Sequence, residues 1–146
     1  MSSLRPVVID SNLAVMVVAD TTRSEAAERL IDRLGREGYQ LLAPRLWRYE
    51  VTSTINKYRA DKLIDRDRVA VTLSTALSFA QVIDEDMALC QSALIWAERL
   101  GQWAAYDGFY LALAERLGAE FYTADERLAN RAQQVGAVWV RGLGAG

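Results

Sequence analysis

Residues 105–128 read AYDGFYLALAERLGAEFYTADERL, and this pattern decides how the remaining chain is read. Leu111, Ala114 and Leu117 recur at spacings of three and four, which predicts a helix over residues 106–117, with Gly118 as its C-terminal stop. Asp107 lies one turn ahead of Leu111 and Ala114, in line with the apolar stripe, an expensive place for a charge. Residues 119–122 follow as a short apolar strand, and Thr123, Ala124 and Asp125 come as the chain leaves it. A helix joined to the next strand by a one-glycine turn runs antiparallel to it, so the helix start and the strand end share one edge. Asp107 and Asp125 are therefore expected to converge.

With 146 residues, 51% of them hydrophobic, the chain fits one domain over residues 1–146 that buries its own core without disulfides or a structural metal. The single Cys90 sits among helical apolar residues and cannot form an internal disulfide, which points to a reducing compartment, the cytoplasm, and to a packing role for the thiol. The longest early apolar run, residues 13–19, stands between Asp10 and Asp20 and is too short to span a bilayer, so no contact with a membrane is expected. The absence of histidine excludes a Ser-His-Asp triad, histidine acid-base catalysis and His-ligated zinc. Carboxylates, hydroxyls, lysine or a hard metal ion are left. The net charge of −2 hides an asymmetry: residues 45–68 hold seven Lys and Arg against four acids, whereas residues 69–146 hold five against nine.

From the N-terminus, residues 5–9 read as a buried-type strand ending at Asp10, Ser11 and Asn12. A short helical segment spans residues 12–19, and residues 20–22 break it. Residues 24–38 form an amphipathic helix around Ala27, Leu30, Ile31 and Leu34, closed by Gly38. A strand over 39–43 leads to Pro44, suited to the first turn of a helix running to about residue 62. Its apolar stripe is Leu46, Trp47, Val51, Ile55 and Tyr58, and Glu50 falls inside that stripe. Asp65 or Asp67 is placed to cap a helix to about residue 80 with Val69, Leu73 and Leu77 inward. A short strand at 81–83, a helix containing Leu89 to Leu100, a helix over residues 125–134 and a strand over 137–140 complete the order, with residues 141–146 as a frayed tail.

Strands that are continuous apolar runs alternating with helices predict a three-layer α/β domain, a central parallel sheet flanked by helices. Ligands in such sheets bind beyond the carboxyl ends of the strands, where Asp10 and Asp125 fall and from which the helices of Glu50 and Asp107 depart. Each acid has a plainer role open to it: helix capping for Asp10, Asp107 and Asp125, and for Glu50 an ion pair with Arg45 or Arg48. The combination is harder to explain that way. Two like charges 4 Å apart at an effective dielectric of ~20 repel by about 4 kcal/mol, so converging acids need protons or a cation. An all-oxygen set suits Mg²⁺ or Mn²⁺. Asp84, Glu85 and Asp86 precede a helix and read as capping and solvation. Trp47, Trp96 and Trp103 read as core or interface, with only Trp103, beside Asp107, placed to touch a ligand. The basic residues of 45–68 read as the wet side of two helices or as phosphate contacts.

The segments VVIDSN at the first strand end, the isolated Glu50 and YDGFYLALAERLGAEFYTADERL together resemble the PIN domain, and within it the compact VapC-type toxins of toxin-antitoxin pairs. The likeness runs through nearly the whole chain, and the C-terminal motif is its specific part. It implies a metal-dependent endoribonuclease acting on single-stranded RNA with Mg²⁺ or Mn²⁺, usually a homodimer, silenced by an antitoxin protein. The family's acidic quartet falls on Asp10, Glu50, Asp107 and Asp125, as metal ligands and catalytic groups. Asn12 and Thr123 occupy positions that orient carboxylates or the metal; Asn12 departs from the Ser or Thr of many members but keeps hydrogen-bonding capacity. Two alternatives stand beside this one: a catalytically inactive PIN-like module that binds RNA or protein, and a phosphoacceptor receiver-like domain. The second would need an acidic pair after strand one and a late lysine, and no lysine follows Lys62.

Overall fold

The computed structural model describes residues 4–19 and 22–145. The chain folds as β1 (Arg5–Ile9), α1 (Ser11–Val18), α2 (Ser24–Arg36), β2 (Tyr39–Pro44), α3 (Leu46–Ala60), α4 (Val69–Leu77), β3 (Gln81–Ile83), α5 (Met87–Leu100), α6 (Tyr106–Leu117), β4 (Phe121–Thr123), α7 (Glu126–Gln134) and β5 (Val140–Gly142). The strands line up in the order β3-β2-β1-β4-β5, and every neighbouring pair is parallel. This is the three-layer α/β architecture expected from the alternation of apolar strands and helices. Asp20 and Thr21, part of the expected break after α1, lie outside the described residues, as does Gly146.

β1 is the middle strand, and its side chains alternate between two hydrophobic layers. Val8 points into a core containing Trp47, Val51, Leu111 and Phe121, while Val7 and Ile9 enter a second core with Leu13, Ala27, Leu30 and Leu34. A strand buried on both faces cannot alternate with polar residues, which is why PVVI reads as an unbroken apolar run. At ~1.5–3 kcal/mol for each fully buried large aliphatic side chain, β1 anchors both layers.

The structure moves several expected boundaries. Helix α3 ends at Ala60, two residues early, because Lys62 takes a left-handed conformation at φ 61°. Pro44 closes β2, paired in register with Ile83, instead of opening α3. Asp65 stands at the N-cap of a 3-10 turn over Arg66–Arg68 that precedes α4, its carbonyl accepting from the Arg68 amide at 2.9 Å, but neither that turn nor α4 has a side-chain cap. In α4, Val69, Leu73 and Leu77 pack against the core as expected, half-buried, and Thr72 and Ala76 are buried beside them where the helix lies against α1 and α3. The strand expected at 119–122 begins at Phe121, since the Ala119 amide is still closing α6 by bonding Ala114 O at 2.9 Å. The Ala137 amide likewise closes α7 on Ala132 O, so the last strand is Val140–Gly142 and not 137–140. Residues 141–145 are not a frayed tail: Arg141 pairs with Glu120 at 2.6 Å, and the Gly144 amide donates to Glu126 at 3.1 Å. Among the described residues no helix is long and apolar enough to cross a membrane.

Helices α5 and α6 approach unusually closely, and a glycine makes it possible. A Cβ built on Gly108 would lie 2.3 Å from the Ala93 carbonyl oxygen, so no other residue fits without moving a helix. This contact fixes where α6 starts and therefore where Asp107 is held. Gly108→Ala should destabilise the fold by at least ~1–3 kcal/mol, read as a lowered midpoint in urea or thermal denaturation.

Candidate functional site

Asp10 follows the last residue of β1 and is only 7% exposed. Its Oδ1 accepts from the Ser11 amide at 2.8 Å and the Ser11 hydroxyl at 3.4 Å; its Oδ2 accepts from Thr123 Oγ1 at 2.8 Å and Asn12 Nδ2 at 3.4 Å. Asp10 thus caps α1, as the plainer reading allowed, while facing other acids. Burial, reinforced by the charges of Glu50 and Asp107, pushes its carboxyl up to about 7 against the lowering effect of the Thr123 hydroxyl.

Thr123, fully buried at the end of β4, ties two of the acids together. Its hydroxyl donates to Asp10 and accepts from the Asp125 amide at 3.0 Å and from Asn12 Nδ2 at 3.4 Å. Asn12 reaches back with Oδ1, accepting from the Ala124 amide at 3.1 Å. The β1 and β4 ends are thereby fastened to each other by side chains as well as by the strand ladder.

Glu50, half-buried on α3, has no arginine partner: Arg45 instead pairs with Asp84 at 2.7 Å and Glu85 at 3.9 Å. Glu50 Oε1 accepts from the Tyr110 hydroxyl at 2.6 Å and from the Ser11 hydroxyl at 3.4 Å. Its carboxyl is raised by burial first, with the Tyr110 bond opposing and the Asp107 charge adding. Tyr110 is held far above the ordinary phenol range, by burial and then by the Asp10 and Glu50 charges, so it remains a donor. Its ring stacks on Phe121 at 5.3 Å. Asp107, in the first turn of α6, accepts from Gln102 Nε2 at 2.9 Å and is raised by burial, then by the Asp125 charge. Asp125 is exposed and caps α7 through the Leu128 amide at 3.1 Å.

These directions describe one connected field: Glu50 and Asp107 act on Asp10, Asp107 acts on Glu50, and Asp125 acts on Asp107. The four acids read from the sequence are electrostatic neighbours at one sheet edge. Among the described residues, however, no three His, Cys, Asp or Glu side chains form a ready-made metal-holding group. The donor chemistry fits a hard divalent cation: oxygen alone, with carboxyls kept from ionising freely by burial and by one another.

Tyr110, Ser11 and Gln102 were not singled out in the sequence, although each touches an acid. A tyrosine on the buried stripe of an acid-bearing helix is the available signal, since a buried phenol needs a partner. The acidic run behaves as its capping reading expects: Asp86 accepts from the Leu89 amide at 2.8 Å and pairs with Arg116 at 2.7 Å. Trp47 and Trp96 are core residues, whereas Trp103 is 99% exposed.

An all-parallel α/β sheet with one buried acid and three that are more exposed, gathered at the edge where its strands end, defines an acidic-site class of domain. The family model of the PIN domain matches residues 7–134, and the chain belongs to that family, whose members are nucleases that generally use divalent metal ions. The receiver-like alternative is thereby left without support. No curated protein matches the chain in sequence. Among solved structures, PAE2754 from Pyrobaculum aerophilum is 20% identical with a TM-score of 0.69, over 98% of this chain and 93% of that one. VapBC2 from Rickettsia felis, bound to a DNA fragment from its promoter, is 11% identical with a TM-score of 0.68, over 94% and 98%. A toxin-antitoxin complex from Klebsiella pneumoniae is 16% identical with a TM-score of 0.64, over 94% and 97%. At these identities the likeness establishes the fold.

Two measurements follow from the site's own bonds. Thr123→Val leaves a carboxylate oxygen and the Asp125 amide short of a partner in a buried setting, and should lower stability by ~1–3 kcal/mol in denaturant titration. In metal-free protein kept in EDTA, folded Asp10 holds its proton to about pH 7 while the unfolded carboxyl releases it near 3.8. Between those values the folded state binds more protons, so stability falls as pH rises and levels off above the folded value. Asp10→Asn should flatten that slope and raise the melting temperature at pH 8.

Proposed function

We propose that the chain is a VapC-type toxin: an endoribonuclease that cleaves single-stranded RNA with Mg²⁺ or Mn²⁺, held inactive by an antitoxin protein. The observation that carries the reading is Asp10, a carboxyl buried at a strand end under the charges of two further acids, a costly arrangement that a bound dication would relieve. Family membership supports nuclease chemistry. The toxin-antitoxin complexes among the structural neighbours support the toxin role and the antitoxin partner. A homodimer working in the cytoplasm completes the proposal.

Asp10, Asp107 and Asp125 would hold the ion, with Glu50 as a further ligand or as the group that orients the attacking water. The ion would supply a water of lowered pKa and Lewis acidity at the scissile phosphate. The protein's own groups prepare that chemistry. Thr123 and Asn12 fix the orientation of the Asp10 carboxylate, and Gln102 that of Asp107. The Tyr110 and Ser11 hydroxyls both bond Oε1 of Glu50, leaving Oε2 to hold a water or take its proton. In-line attack would leave 5′-phosphate and 3′-hydroxyl ends.

The test is cleavage of end-labelled single-stranded RNA with Mn²⁺ or Mg²⁺. Asp10→Asn and Asp125→Asn should each reduce the rate by at least ~100-fold while remaining folded, and excess EDTA should abolish cleavage. Mn²⁺ should raise the melting temperature of the wild type but not of Asp10→Asn. Full activity in either variant or in EDTA would refute the site, and a folded wild type that only binds RNA would favour the inactive-module alternative.

A further inference from the structure

Glu50, one of the four acids, helps line an open groove of about 340 Å³ together with Leu46, Tyr49, Ser53 and Tyr106. A second cavity of about 370 Å³ shares Leu46, Tyr49 and Tyr106 with it and includes Cys90. The volumes lie within the range of small-ligand sites. Both tyrosines are 64% exposed, so large aromatic faces are open to solvent next to a half-buried carboxylate.

Their positions follow from helical geometry. Tyr106 and Tyr110 are four residues apart on α6 and share a face. Tyr110 bonds Glu50 from inside the protein at 2.6 Å. Tyr106 therefore stands one turn nearer the start of α6, on the same side, and next to Asp107 in the chain. From the opposite wall, α3 presents Leu46 and Glu50, again four residues apart, with Tyr49 preceding the acid. Core packing does not account for two exposed phenols at this point: Tyr58 and Tyr110, on the same two helices, are drawn inward, while Tyr49 and Tyr106 are not.

Resting on the nuclease reading above, we propose that Tyr49 and Tyr106 form a base-stacking platform that takes one unpaired nucleobase of the RNA adjacent to the scissile phosphate. Phenol faces stack on any base, which suits a positioning role tolerant of sequence. A base held in a duplex cannot enter a side cavity without leaving its stack, so the platform itself confers preference for single strands. The ligand is a nucleobase in preference to a peptide because Glu50, one of the four acids, lines the groove: a base seated there brings its own phosphate to the acidic edge.

The test compares wild type, Tyr49→Ala, Tyr106→Ala and the two Tyr→Phe variants on a short single-stranded RNA, and on the same RNA carrying one abasic residue stepped through the positions flanking the cut. Each Ala variant should raise KM about tenfold, the scale of one lost stacking contact, with the Phe variants close to wild type. At one position the abasic residue should impair the wild type by a similar factor and add little to the Ala variants, as two changes that remove one contact must. If the wild type cleaves RNA and the Ala variants match it on every substrate, the platform is refuted and the nuclease reading stands; that is also the outcome if the cavity serves a peptide. If the wild type cleaves no RNA, both fall together.

Discussion

The burial of one carboxylate at the end of the central strand is the constraint around which this protein is arranged. Asp10 has Val7, Val8 and Ile9, all solvent-free, behind it and other acids in front. A charge in that position needs donors, and four hydrogen bonds come from three residues: Ser11 and Asn12 at the start of α1, and Thr123 at the end of β4. Those bonds decide how the ends of β1 and β4 meet, and through the Asp125 amide and the Asn12 side chain they set the path into α7. The same atoms stabilise the fold and shape the site, so a structural role and a functional one are not rivals at these positions.

Nearly all of the architecture was legible in the sequence because parallel strands buried on both faces leave a plain mark: short apolar runs separated by amphipathic helices. The acids were legible for the complementary reason, that an ionisable group in line with an apolar stripe has no cheap explanation. Boundaries were less legible, and the misses share a cause. Ala119 and Ala137 look like strand residues by composition, yet their amides close the preceding helices. Residues 141–145 look like a glycine-rich tail, yet distant partners hold them: Arg141 and Gly142 pair with β4, and Glu120 and Glu126 bond Arg141 and the Gly144 amide. Contacts far apart in sequence leave no local trace.

The partners of the acids were missed on similar grounds. Tyr110 belongs to the apolar stripe of α6 by spacing, and its hydroxyl is recognisable as a carboxylate's partner only once α3 and α6 face each other across the core. Gln102 sits in the turn between α5 and α6, whose course depends on the close passage of Gly108 over Ala93. The expected arginine partner of Glu50 failed because Arg45 found Asp84 and Glu85 near the end of β3 instead. That exchange leaves Glu50 with neutral hydroxyl donors and keeps its negative charge uncompensated.

The strand order also bears on biosynthesis. β4 lies against β1 although their paired residues, Val8 and Phe121, are separated by most of the polypeptide. A ribosome delivers the N-terminal acids first, and until the segment bearing Thr123 and Asp125 has cleared the exit tunnel the edge of β1 stays open. A nascent chain therefore cannot bring its four acids together until β4 has emerged, so the order of synthesis itself sets when the acidic edge can form.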